Sequence, residues 1–225
     1  KQIITYMGNK RKFINIIGDI VDSVKSELNT DKLVLADGFS GSGIISRLFK
    51  IKADSLHVND IAGYSQTLNQ CYLSTPSKKK QAKIKTLIDK ANKFAHSEDT
   101  IQYEPWIQLH WAAKKVITKD QRVYYTEKNG KLIDRYRSFV NSLPEKDKPY
   151  VLAPLLVESS IHNNTNGQFS AFYKNENKIG TYGGKNAVDV KRITKPISLE
   201  MPVLLNTNCK VYVNREDTNT WVKKE

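Results

Sequence analysis

Residues 37–43 read Asp37-Gly38-Phe39-Ser40-Gly41-Ser42-Gly43. The stretch follows a short apolar run, "DKLVLA", from Asp31 to Ala36. It precedes a helical pattern over Ser42 to Lys50, with Ile44, Ile45, Leu48 and Phe49 on one side. A second strand pattern, "SLHVND", runs from Ser55 to Asp60. Strand, glycine turn, helix and strand make one βαβ unit, expected to be parallel and right-handed. The fold class that follows is α/β. In this geometry backbone N–H groups and a helix N-terminus face a ligand, and glycine lets that ligand come close.

The chemistry around the glycines selects among ligands. The spacing is Gly38-x-x-Gly41-x-Gly43, not the G-x-G-x-x-G of dinucleotide sites. Asp37 ends the first strand, and a carboxylate there repels a pyrophosphate. It suits a ligand with a cationic amino group. S-adenosylmethionine carries an ammonium and a sulfonium and no phosphate. Asp60, ending the next strand, can accept hydrogen bonds from a ribose diol. The alternative is a tight turn with incidental glycines.

The rest of the chain sets the context. It has 225 residues, 39% of them hydrophobic, enough for a large domain or a domain with an insertion. No apolar run reaches membrane-spanning length. Cys71 and Cys209 lie far apart and read as reduced, structural thiols with no metal-ligand spacing. The net charge of +13 is uneven. Residues 63–195 hold 23 basic against 12 acidic side chains, whereas 1–62 hold 9 against 7 and 196–225 hold 4 against 4. Positive charge concentrated in a middle segment suits a polyanion, because neutralising phosphates releases counterions. A lysine-rich solvated surface is the alternative.

Residues 11–28 read as an amphipathic helix through Phe13, Ile16, Ile17, Ile20, Val21, Val24 and Leu28. After Gly63 longer helical patterns appear. One carries Ile84, Leu87, Ile88, Ala91 and Phe94. Another runs from Leu132 to Leu143 with Thr126 as its N-cap, and a third from Tyr150 to Ile161. Residues 162–186 read as a long polar loop, and "CKVYVN", Cys209 to Asn214, returns to strand.

The opening "YMGNKRKF", Tyr6 to Phe13, taken with "DGFSGSG" and "VND", resembles the Dam-like (D12) class of DNA adenine-N6 methyltransferases. "RVYYTEKNGKLIDRYRSFV", "LLVESSIHNNTNGQFSAFYK" and "PISLEMPVLLNT" are similar to segments of a subgroup found in restriction-modification systems. The resemblance covers nearly the whole chain. It implies that Tyr6, Met7, Gly8, Asn9 and Lys10 pack over the methionine end of S-adenosylmethionine. It implies that Asp37, Phe39, Ser40, Gly41, Ser42 and Gly43 form the cofactor loop. Asp60, flanked by Asn59 and Ile61, matches the ribose-binding acid. "VNREDTNTW" resembles the segment whose acid meets the cofactor's adenine amino group, here Asp217.

The implied architecture is a Rossmann-like S-adenosylmethionine-dependent methyltransferase sheet built from residues 1–62 and 196–225. A mostly helical DNA-recognition region, 63–195, is inserted between them. The implied partners are duplex DNA and a cognate restriction endonuclease acting on the same site. The implied setting is a bacterial cytoplasm, at the nucleoid, with no membrane. Asn163, Asn164, Asn166 and Gln168 are candidates for pairing with adenine edges, with turn capping as the alternative. Lys78, Lys79 and Lys80 are candidates for phosphate contact, as are Lys114, Lys115, Arg135 and Arg137. Helix-face solvation is the alternative for each. Trp106, Trp111 and Trp221 read as core or interface anchors rather than base stackers.

One departure bears on activity. The family's Asp-Pro-Pro-Tyr motif is absent, and neither Asp-Pro-Pro nor Asn-Pro-Pro occurs. In the family that motif accepts hydrogen bonds from the target amine and stacks on the flipped base. The 225 residues therefore read as an amino-terminal portion, with no catalytic residue visible. A non-catalytic DNA-binding module and a methyltransferase acting on RNA or protein stay open beside the adenine-N6 reading. These residues alone are expected to bind the methyl donor weakly and to transfer nothing, which a radiolabel transfer assay on duplex DNA checks.

Overall fold

The computed structural model describes residues 10–165, 171–184, 187 and 189–224. Strands β1 (Val34–Asp37), β2 (Ser55–Asn59) and β3 (Lys210–Asn214) form one sheet in the order β1-β2-β3. Both pairings are parallel, as the βαβ pattern predicts for the first. Asp37 stands opposite Val58, and Asn59 opposite Asn214. The three strands therefore end at one edge of the sheet. Leu56, Val58, Leu73 and Cys209 form the core beneath it, with Leu35, Phe49 and Val211 packed against them.

Helix α1 (Ile14–Glu27) follows a 3-10 turn at Lys10–Phe13, and α2 (Ile44–Lys52) connects β1 to β2. The apolar stripe of α1 is only partly used. Gly18 and Val21 are buried, whereas Phe13, Ile16, Ile20 and Leu28 are exposed, because no described element lies over them. In α2 the fully buried side chain includes a cation. Lys50 donates from Nζ to the carbonyls of Ser74 (2.9 Å) and Leu205 (2.6 Å). Two carbonyl dipoles take the place of water around that ammonium, and burial still lowers its pKa.

The described residues form two compact units, one of 10–82 with 202–224, the other of 83–201. The boundaries expected from composition are 62/63 and 195/196. Helix α3 (Gly63–Tyr72) lies in the sheet-bearing unit because Leu68, Asn69 and Cys71 are buried there against β3 and the glycine turn. The division falls inside α4 (Lys78–His96).

The second unit is built on α4, α5 (Trp106–His110), α6 (Glu127–Asn141), α7 (Pro149–Ile161) and α8 (Val190–Thr194). Ile84, Ile88 and Ala91 of α4 and Leu132, Ile133, Tyr136 and Val140 of α6 are buried, as their helical spacing predicts. Thr126 caps α6, its hydroxyl accepting from Asn129 N at 3.1 Å. Two side-chain amides, half-buried Asn92 and buried Asn129, fasten the extended segment after α8. Asn92 donates to Leu199 O and accepts from Leu199 N. Asn129 donates to Ile193 O and Lys195 O and accepts from Ile197 N, all at 3.0 Å. Asn129→Ala removes the partner of three backbone groups, two of them buried. It is expected to cost about 3 kcal/mol at roughly 1 kcal/mol or more per lost bond, read as a lower urea midpoint.

Candidate functional site

The site grows from the shared end of the three strands. Between β1 and α2 the backbone turns through Gly41 at φ +51° and Gly43 at φ +74°. A Cβ on Gly43 would lie 2.1 Å from Asn69 Oδ1. Glycine is required there both by the left-handed backbone and by the approach of Asn69. Asn69 donates to Ser40 Oγ (3.0 Å) and Ser65 Oγ (3.3 Å), so α3 holds the turn from below.

Asp60, one residue past β2, holds the turn from the side. Its Oδ2 accepts from Gly41 N at 2.7 Å and its Oδ1 from Ala62 N at 2.9 Å. Each oxygen keeps a lone pair for a further donor. Asn59 ties in the third strand. Its amide donates to Glu216 O (3.1 Å) and Thr218 Oγ1 (3.2 Å) and accepts from Glu216 N (3.0 Å). Thr218 Oγ1 in turn donates to Gly38 O at 2.8 Å. Asp217 is exposed and caps α9 (Thr218–Trp221), its Oδ1 accepting from Asn219 N and Thr220 N.

Asp37 is 7% exposed and accepts from Ser46 Oγ at 2.6 Å. Burial pushes its carboxyl above the usual carboxylate range. The Ser46 hydroxyl, the positive charge of Lys10 and the Phe39 N–H pull the other way, and the charge of Asp60 adds to the push. Phe39 and Ile61 extend from the ends of β1 and β2 with 71% and 68% of their surfaces exposed. The strand ends thus bring Asp37 and Asp60 to a glycine turn with an apolar rim, while the Asp217 carboxylate is engaged in capping α9. Such an acceptor-rich set suits amino and hydroxyl donors and disfavours phosphate.

Residues 6–186 match the family defined as D12 class N6 adenine-specific DNA methyltransferases. The chain belongs to that family. Among curated relatives, the type II methyltransferase M.NlaIII of Neisseria lactamica is 26% identical over 227 residues, covering 98% of this chain and 60% of that protein. Modification methylase LlaI of Lactococcus lactis subsp. lactis is 25% identical over 176 residues, covering 75% of this chain and 27% of that protein. The chain therefore spans about 60% of the length of the first of these relatives. No solved structure matches it.

Within this D12 family chain the structure draws together Asp37, Ser40, Gly41, Gly43, Asn59 and Asp60, and reaches Asp217 through Thr218. Ser42 lies within the turn, and Lys10 is close enough for its charge to act on Asp37. Tyr6, Met7, Gly8 and Asn9 lie outside the described residues. Sequence reasoning missed Ser46, Asn69 and Thr218, the groups that hold the turn and its acid. The available signal was weak: Asn69 is a polar residue between Leu68 and Cys71 on a helix, and nothing local shows which face is buried.

The expected DNA contacts separate by burial. Asn164 is fully buried, with both amide hydrogens engaged by Val123 O and Thr181 O at 2.7 Å and its Oδ1 accepting from Gly183 N. It fastens the long loop, which is the capping role for asparagine. Asn163 is also buried. Its Oδ1 accepts from Thr165 Oγ1, and its Nδ2 has no partner among the described residues. Asn166 and Gln168 lie outside the described residues. Lys78 and Lys79 are exposed and Lys80 half-buried, all in the sheet-bearing unit. Arg135 is buried and donates to Ser97 O (2.8 Å) and Asp99 O (3.0 Å), which takes it away from solvent. Lys114 and Lys115 are exposed. Trp221 is 3% exposed, an anchor as expected, whereas Trp106 is 43% exposed.

The raised pKa of Asp37 has a consequence for stability. Its ionised form is disfavoured in the folded state, so stability from this group is full in acid and is lost as pH rises through the folded pKa. Asp37→Asn removes the charge and keeps the shape. The variant is expected to be at least as stable as the parent at neutral pH, and the difference to close as acid protonates Asp37. Urea midpoints measured across that range check it.

Proposed function

We propose that the chain carries the donor-binding and target-binding parts of an S-adenosylmethionine-dependent DNA methyltransferase specific for adenine N6. It serves as the modification component of a restriction-modification system. The carrying observation is the pair of carboxylates at the shared strand end, Asp37 buried ahead of the glycine turn and Asp60 on the N–H of Gly41. Asp37 is a buried carboxylate with the Ser46 hydroxyl, the Phe39 N–H and the charge of Lys10 on one side of the balance and the charge of Asp60 on the other. A buried anion of this kind gains most from a cationic ligand group, because the desolvation is already in place. It is the residue assigned to the donor's ammonium.

Asp60 is assigned to the ribose diol, since the oxygens that hold Gly41 and Ala62 retain acceptor capacity. Asp217 is assigned to the amino group of the donor's adenine, and Ile61 and Phe39 to its apolar surroundings. Tyr6, Met7, Gly8, Asn9 and Lys10 are assigned to the methionine end on their motif alone. Bound S-adenosylmethionine supplies a methyl group activated by its sulfonium. The chain's own residues orient it, and the gain from such orientation is entropic.

The sheet-bearing part is read as a Rossmann-like donor-binding domain, and the 83–201 unit, which makes up most of the cation-rich 63–195 stretch, as the inserted recognition region. The substrate is duplex DNA. The functional partner is a restriction endonuclease of the same specificity, in a bacterial cytoplasm.

Calorimetry with S-adenosylmethionine tests the reading. The parent chain is expected to bind it, and Asp37→Ala to bind at least tenfold more weakly while retaining duplex DNA binding. Uptake of a dinucleotide in preference to S-adenosylmethionine would overturn the donor assignment. Preference for RNA over duplex DNA in competition would overturn the substrate assignment.

A further inference from the structure

The 83–201 unit carries a run of aromatic rings in tilted and edge-on contact that the functional reading has not used. Trp106 and Trp111 have ring centroids 6.2 Å apart, Trp111 and Tyr124 5.0 Å, and Tyr124 and Phe172 5.1 Å. Cations lie on this run at two places. The Arg122 guanidinium sits 5.3 Å from the Trp111 ring centroid, and Lys174 Nζ 4.9 Å from that of Phe172. Both side chains are exposed.

What sets these two cations apart is the aromatic ring beneath each, since exposed lysines such as Lys90 and Lys93 also lack a carboxylate partner among the described residues. Elsewhere in the unit Lys83 pairs with Asp147, Arg137 with Asp134, Lys148 with Glu145 and Arg192 with Asp189. Arg122 and Lys174 have no carboxylate partner among the described residues. An aromatic face attracts a cation through its quadrupole and leaves the net charge unneutralised. It also restricts the long side chain, so less freedom is lost when an anion arrives. Between Trp111 and Arg122 the exposed Lys114, Lys115 and Lys119 stand against a single carboxylate, Asp120. Trp106 adds an exposed apolar ring at the end of the run.

We propose that this aromatic-cation face is where the 83–201 unit meets the sugar-phosphate backbone of duplex DNA, with Arg122 and Lys174 as its phosphate contacts. Held cations meet the phosphates, and the apolar ring faces the sugar carbons, so the face supplies affinity and register rather than base choice. The proposal rests on the reading that the chain binds duplex DNA, and it names the side chains that do so.

The test is titration of a labelled duplex with the chain at several salt concentrations. R122Q/K174Q is expected to weaken binding about tenfold and to make the slope of log affinity against log salt shallower by about two. The exposed pair on α4, Lys90 and Lys93, serves as the control for bulk charge, and K90Q/K93Q is expected to leave the slope near that of the parent. Thermal melts and S-adenosylmethionine calorimetry, expected unchanged for both variants, separate a lost contact from a lost fold. A parent chain that binds no duplex overturns both this proposal and the reading beneath it. A parent that binds, with R122Q/K174Q unchanged or matched by K90Q/K93Q, overturns this proposal alone.

Discussion

The parallel hydrogen-bond ladder of β1, β2 and β3 sets the position of every group at the candidate site. Parallel strands in this register finish together, so the residues that follow them are delivered to one edge. Asp37, Asp60 and Asp217 stand 23 and 157 positions apart along the chain, yet each leaves the end of a different strand. The ladder alone does not hold the turn between β1 and α2. Asp60 does so by accepting the N–H of Gly41, and Asn59 joins the middle strand to the segment after β3. The acids are thereby part of the scaffold and also the groups offered to a ligand. An assignment of Asp60 to ribose must accordingly draw on acceptor capacity left over from holding the backbone.

The 83–201 unit follows a different logic. Its extended segments are fixed less by backbone ladders than by buried and half-buried polar side chains. Asn92, Asn129 and Asn164 each satisfy two or more backbone groups, and Arg135 and Arg192 donate to loop carbonyls. Such groups are costly when half satisfied and rigid when fully satisfied. The long loop from His162 is thus anchored at its start, where Asn164 and Arg192 engage it, even though its composition reads as irregular. This division of labour also sorts the cations. Those inside hold carbonyls, several outside hold carboxylates, and Arg122 and Lys174 lie on aromatic rings.

Much of this was legible from the residues. Strand, glycine turn, helix and strand followed from hydrophobic period and from glycine placement, and the pairing came out parallel. The Thr126 cap and the apolar faces of α4 and α6 followed from spacing. The carboxylate before the glycines was legible as an acid ending the first strand, because that is a local feature. Burial was not legible. Asn163, Asn164 and Arg135 look like surface polar residues in the sequence and are enclosed in the fold. The stripe on α1 looks like core and is largely exposed.

By itself the sequence determined the order of elements, the glycine turn with its flanking acid, and the motif set shared with the D12 family. Those depend on neighbours within a few positions, where propensity, period and backbone sterics act. Only the tertiary structure decided which polar groups are enclosed and which amide supports the turn. It alone placed Trp111 beside Tyr124, and Tyr124 beside Phe172. Desolvation and long-range pairing depend on what the chain brings next to a residue, and that is set by packing rather than by local sequence.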